Sequence, residues 1–72
     1  MLTFPRSTVD RFFLEFWSDP KKKGTLRMGQ AFHQYMKLEK VSSEKDWCDR
    51  LYQLDGEEAK KMIASRTYYD GD

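Results

Sequence analysis

Thr25-Leu26-Arg27-Met28-Gly29-Gln30-Ala31-Phe32-His33-Gln34-Tyr35-Met36 decides the fold. Met28, Ala31, Phe32, Tyr35 and Met36 fall at i, i+3, i+4, i+7 and i+8, one stripe of an amphipathic helix. Thr25 is placed to cap this helix and Leu38 to close it. Gly29 sits inside the helix, at a cost of about 1 kcal/mol relative to alanine. A close helix crossing or a backbone contact is the physical reason for a glycine there. Gly29 and Ala31 let another helix approach, with Arg27 and Gln30 flanking the contact.

The same pattern recurs on both sides. Upstream, Val9, Phe12, Phe13, Phe16 and Trp17 repeat the i, i+3, i+4, i+7, i+8 stripe. Ser7 is expected to cap that helix, with Asp10 in its first turn. Asp19-Pro20 ends it, because proline pushes the preceding residue out of the helical region. Lys21-Lys22-Lys23-Gly24 then reads as a basic turn. Downstream, Val41-Ser42-Ser43 reads as a linker, with Ser43 as a further cap. Trp47, Cys48, Leu51 and Tyr52 share a face. Asp55 and Glu58 form a capping-box-like start to a last helix whose inner face is Ala59, Met62 and Ile63. No stretch alternates long enough to predict a strand. The expectation is an all-α, compact bundle of three to four short helices. One small domain spans residues 1–72, with 65–72 as an aromatic, polar C-terminal tail.

Composition narrows the function classes. The 72 residues carry 13 Lys and Arg against 12 Asp and Glu, for a net charge of +1. That balance argues against a dedicated nucleic-acid binder. The charge is nonetheless split. Residues 1–40 hold eight basic and four acidic groups, and residues 41–72 hold five and eight. Each half can face a different partner, or the halves can attract each other. The lone Cys48 permits no internal disulfide, which suits a reducing, cytoplasmic setting. No window reaches the length of a membrane span, and the start of the chain lacks the apolar core of a signal peptide.

Catalytic signals are thin. His33 and Cys48 are the nucleophile–base candidates, yet no third orienting group accompanies them. Cys48 reads as a buried small apolar residue and His33 as partly solvent-facing. One His and one Cys cannot complete a zinc site, and no spacing matches a calcium loop. Gly24-Thr25-Leu26-Arg27 is far from a phosphate-binding loop. No enzyme activity, metal or cofactor is therefore expected.

The residues left over point to contacts. Trp17, at the end of its helix, and Tyr68 and Tyr69, which the core does not obviously need, are favoured interface anchors. Lys21, Lys22, Lys23 and Arg27 form the densest basic cluster. No aromatic interleaves with them, so a stacking platform for single strands is not indicated. These seven residues are the partner-binding candidates.

Two segments carry a family resemblance. Leu26-Arg27-Met28-Gly29-Gln30-Ala31-Phe32, followed by Leu51-Tyr52-Gln53-Leu54-Asp55-Gly56-Glu57-Glu58-Ala59-Lys60-Lys61-Met62-Ile63, resembles small uncharacterised proteins of tailed bacteriophages and prophages. Those share a Leu-Arg-x-Gly-Gln-x-Phe helix motif ahead of a Leu/Phe-Tyr-x-x-Asp-x-x-x-Ala segment. The resemblance implies a phage or bacterial cytoplasmic setting and transfers no catalytic residue. Small phage proteins often bind and redirect a host protein. The expected function is thus a non-enzymatic protein–protein interaction module that binds a host or phage protein, or a second copy as a homodimer. The alternative is a small helical nucleic-acid-binding accessory protein. It would use the Lys21–Lys23 turn and the following helix in a weak, salt-sensitive grip. No membrane partner is expected.

Overall fold

The computed structural model describes residues 2–71, with only the backbone described at Pro20, Lys22 and Lys23. Helix α1 spans Arg6–Ser18, α2 Pro20–Thr25, α3 Met28–Tyr35, α4 Lys45–Gln53 and α5 Gly56–Ser65. A single 3-10 turn, Leu38–Lys40, joins α3 to α4. The chain is an all-α bundle, as the periodicity predicts. Its four longer helices are α1, α3, α4 and α5, and α2 is a six-residue insert.

The core is built on Phe32, which is completely buried. Phe12 meets it edge-on at 4.9 Å, and Phe4 does so at 5.0 Å. Such T-shaped pairs add about 0.5–1.5 kcal/mol each beyond their buried area. Val9 and Phe16 complete the α1 contribution, and Leu51, Cys48, Ala59 and Ile63 close the core from α4 and α5. Phe4 lies outside every predicted helix yet is a buried member of the core.

Gly29 behaves as its position demands. A Cβ on it would stand 1.8 Å from the Leu51 carbonyl oxygen and 2.7 Å from that of Leu54. Helices α3 and α4 therefore cross backbone to backbone. The Gly29 N–H uses that proximity to donate to the Leu54 carbonyl at 3.1 Å.

Several local expectations are corrected. Lys21–Lys23 is not a turn but the body of α2. Pro20 occupies its first position, where a missing N–H costs nothing, and Asp19 Oδ1 accepts from the Lys21 N–H at 3.0 Å. Thr25 ends α2 and donates to the Lys21 carbonyl, so it does not cap α3. Helix α3 begins after Arg27 and stops at Tyr35, so Leu38 is a buried anchor in the 3-10 turn and not its close. Ser7 is not an N-cap, because α1 starts at Arg6, after Pro5, and Ser7 is its second residue. Ser43 is replaced in the capping position of α4 by Glu44, in the left-handed region at φ 54°. Asp19 ends α1 in extended backbone and Asp55 caps α5, both as expected.

The segment read as a tail is tied down. Thr67–Tyr68 pairs in parallel with Phe4–Pro5, in the register Phe4 with Thr67 and Pro5 with Tyr68. The helices between them act as one long crossover connection. Two residues per strand leave the fold class unchanged.

Candidate functional site

Three carboxylates far from their partners in sequence position the molecule's surfaces. Asp70 accepts from the Ser7 N–H at 2.9 Å and from the Ser7 hydroxyl at 2.6 Å. It thereby satisfies an open donor at the start of α1. Those two hydrogen bonds, the hydroxyl's first, hold its carboxyl below the usual aspartate range. Asp55 Oδ1 accepts from both Met28 and Gly56 N–H groups at 2.8 Å, joining the starts of α3 and α5. Glu44 accepts from the Leu2 N–H and, at 2.6 Å, from the Arg66 guanidinium. The Leu2 bond first, then Arg66, lowers its pKa. Arg66 also lies 4.9 Å over the Trp47 ring, so Trp47 is half-buried beneath a cation.

With the Thr67–Tyr68 strand held in place, one flank of α1 becomes an aromatic surface. The exposed large apolar side chains of the described residues are Leu14 (71%), Tyr69 (65%), Trp17 (52%) and Tyr68 (48%). Trp17 stands four residues, one helical turn, beyond Phe13, so the two share a face of α1. Its ring packs edge-on against Phe16 at 5.6 Å. Phe13 lines a groove of about 380 Å³ between α1 and α5, with Val9 and Ala64 beside it and Tyr68 and Tyr69 as further walls. Arg6, Asp10 and Lys60 supply its polar rim. Arg6 and Asp10 pair at 3.6 Å in the open, which is worth little to stability and leaves both groups ready to exchange partners.

The candidate residues thus divide. Tyr68 and Tyr69 wall one groove, and Trp17 extends the same face of α1. Arg27 turns away from them. Its Nε donates to the Tyr52 carbonyl at 3.4 Å, and its guanidinium lies 5.9 Å over the Tyr52 ring. Lys21 is exposed on α2. The side chains of Lys22 and Lys23 lie outside the described residues. Leu14 and the Arg6–Asp10–Lys60 rim escape a reading based on stripes. Leu14 had a signal, since it is a large apolar residue on the side of α1 opposite its buried stripe.

The nucleophile–base candidates sit apart from this surface. His33 is buried, contrary to its expected exposure, because Tyr52 covers it edge-on at 5.1 Å. Its Nδ1 is 3.9 Å from a Glu39 carboxylate oxygen. Burial pushes the Cys48 thiol up, with Asp49 and Glu44 adding to the effect, so the reactive thiolate is disfavoured. Among the described residues no three His, Cys, Asp or Glu side chains cluster as metal ligands. No described helix is long and apolar enough to cross a membrane. Set beside known proteins, the chain matches no protein family, no curated protein and no solved structure.

Proposed function

We propose that the chain is a non-enzymatic protein-binding module and that its contact surface is the Trp17–Phe13–Tyr68–Tyr69 flank. The carrying observation is the exposure of Tyr68 and Tyr69 on a groove with a charged rim, and of Trp17 one helical turn beyond its Phe13 wall. Exposed aromatics bordered by charges have the composition of an interaction hot spot. Their exposure outside the buried core favours a contact role. The partner is a protein of a bacterial or phage cytoplasm, which agrees with a reduced, buried Cys48.

The test is affinity capture from a nuclease-treated bacterial lysate with the wild-type chain and with Trp17→Ser and Tyr69→Ser. Both substitutions are at exposed positions and should leave the fold intact. A protein retained by the wild type, lost with both variants and reconstituted from purified components supports the reading. Retained proteins that ignore the variants, or material that disappears on nuclease treatment, overturn it. The second outcome transfers the function to the lysine-bearing α2.

A further inference from the structure

The side of α1 that faces away from the core has a pattern of its own. Arg11, Leu14, Glu15 and Ser18 stand at i, i+3, i+4 and i+7, and all four are exposed. Leu14 is the most exposed large apolar side chain of the described residues, and Trp17, three positions on, is half exposed beside it. The charges around them are of both signs. Arg6 and Asp10 pair with each other at 3.6 Å. Arg11 and Glu15 do not, since the other ion pairs of the described residues are His33–Glu39 and Arg66–Glu44. A basic residue four positions before an acidic one is the weaker order for a pair within one helix. The Tyr35 hydroxyl donates to the Glu15 carboxylate at 3.2 Å and holds it in place.

We propose that this face is the seam of a homodimer, in which α1 packs antiparallel on α1 of a second copy about a two-fold axis at Leu14. Charge complementarity names the occupant. In a two-fold antiparallel pair the same flank of each helix meets, with its chain direction reversed. Leu14 then meets its own copy, and the Trp17 ring closes over the pair. Arg11 lies three residues before the axis and Glu15 one residue after it. At a rise of about 1.5 Å per residue, Arg11 of one copy and Glu15 of the other lie about 3 Å apart along the helix axis, on the same flank. Two intermolecular ion pairs thus form from groups that make none within the chain. Nucleic acid and anionic lipid are repelled by Asp10 and Glu15, whereas a second copy needs only what the chain already presents. One helix and two apolar side chains per copy put the seam in the small, transient class of interface, with a dissociation constant on the order of 100 μM. The seam does not depend on the protein-binding groove: Leu14, Arg11 and Glu15 line no part of it, so either can fail alone. Trp17 borders both and is spared in the test.

The experiment is sedimentation equilibrium of the full chain at low salt over a range of concentrations. The wild type should show a reversible monomer–dimer equilibrium. Leu14→Asp sets two carboxylates face to face at the axis and should stay monomeric. Arg11→Glu and Glu15→Arg each turn two attractive contacts into repulsive ones and should each weaken the dimer roughly tenfold. An equimolar mixture of those two variants restores every pair in the heterodimer and should associate at least as tightly as the wild type. A folding defect in either variant cannot produce that rescue, and circular dichroism checks that the helices persist. Lys61→Glu, an equal charge change at an exposed position on α5, should leave the equilibrium unchanged, as should Tyr69→Ser, which damages only the groove. A wild type that stays monomeric up to about 1 mM, a dimer that survives Leu14→Asp, or a mixture no tighter than its components would overturn the proposal.

Discussion

Replacing Gly29 with alanine should remove most of the protein's stability. The added methyl would stand 1.8 Å from the Leu51 carbonyl oxygen, 2.7 Å from the Leu54 oxygen and 2.9 Å from the Leu51 carbonyl carbon. All three atoms are backbone, so no side chain can rotate away. Restoring the shortest contact to an ordinary 3.4 Å requires α3 and α4 to separate by about 1.6 Å along it. That movement stretches the 3.1 Å hydrogen bond from Gly29 to Leu54 and loosens Phe32 and Leu51, both completely buried. Overpacking costs about 1–3 kcal/mol, and a rigid backbone obstacle puts this site near the upper end. The weakened hydrogen bond adds about 1 kcal/mol, and the better helix propensity of alanine returns about the same. The net is about 3 kcal/mol, against the roughly 3–5 kcal/mol that a core of this size supplies. A chain this short loses roughly 4–8 °C in Tm per kcal/mol, so calorimetry or circular dichroism should find a fall of about 12–24 °C. Gly24→Ala is the internal control. A Cβ there meets nothing within 4 Å, so it should leave Tm unchanged or raise it slightly. If Gly29→Ala melts with the wild type, the close crossing of α3 and α4 is refuted.

Other expectations concern the long-range carboxylates and the buried thiol. Asp55→Ala frees the Met28 and Gly56 N–H groups together and should cost roughly 1–2 kcal/mol, read by urea unfolding. Glu44 has a depressed folded-state pKa, so between its folded and unfolded values the unfolded chain binds the proton more readily. Stability should therefore hold above the ordinary Glu value of about 4.3 and decline as pH falls through the folded value. Glu44→Gln should flatten that decline in acid titrations, and an unchanged pH profile would argue against the Leu2–Glu44–Arg66 link. Asp70→Ala should speed hydrogen exchange at Ser7 and in the Thr67–Tyr68 strand without altering exchange at Phe32. Uniform acceleration across the chain would mean that Asp70 supports the whole fold and not one edge. Cys48 should react with a water-soluble disulfide reagent at least ~100-fold more slowly in the native protein than in denaturant, since access requires opening of the core.

Part of the candidate site was legible in the chain and part was not. Trp17 stands out as the aromatic that ends its helix and Tyr69 as one beyond the last helical stripe, and both are exposed. The groove beside them was hidden because its walls come from α1, α5 and a strand of two residues. Two residues cannot show alternation, so Thr67–Tyr68 carries no signature of its own. The basic run misled because charge spacing suggests a solvated turn, whereas Asp19-Pro20 is equally the start signal of a new helix through the lysines. The Glu15–Tyr35 hydrogen bond had no signal at all, since its two members lie 20 residues apart on different helices.

Local physics determined the elements. Apolar side chains at helical spacing can be buried together only by coiling, so α1, α3, α4 and α5 are written in the stripes themselves. Proline after Asp19 and the carboxylate of Asp55 act within a few residues, so they too are readable in one dimension. Gly29 announces a close approach without naming the partner. Tertiary structure alone decided that the partner is the α4 backbone. It also decided which donors each carboxylate satisfies, with Leu2 and Glu44 separated by 42 positions and Ser7 and Asp70 by 63. Hydrogen bonds at helix starts need a partner, but nothing local specifies whose oxygen arrives. That choice is made when the whole bundle closes, and it holds Tyr68 and Tyr69 beside α1.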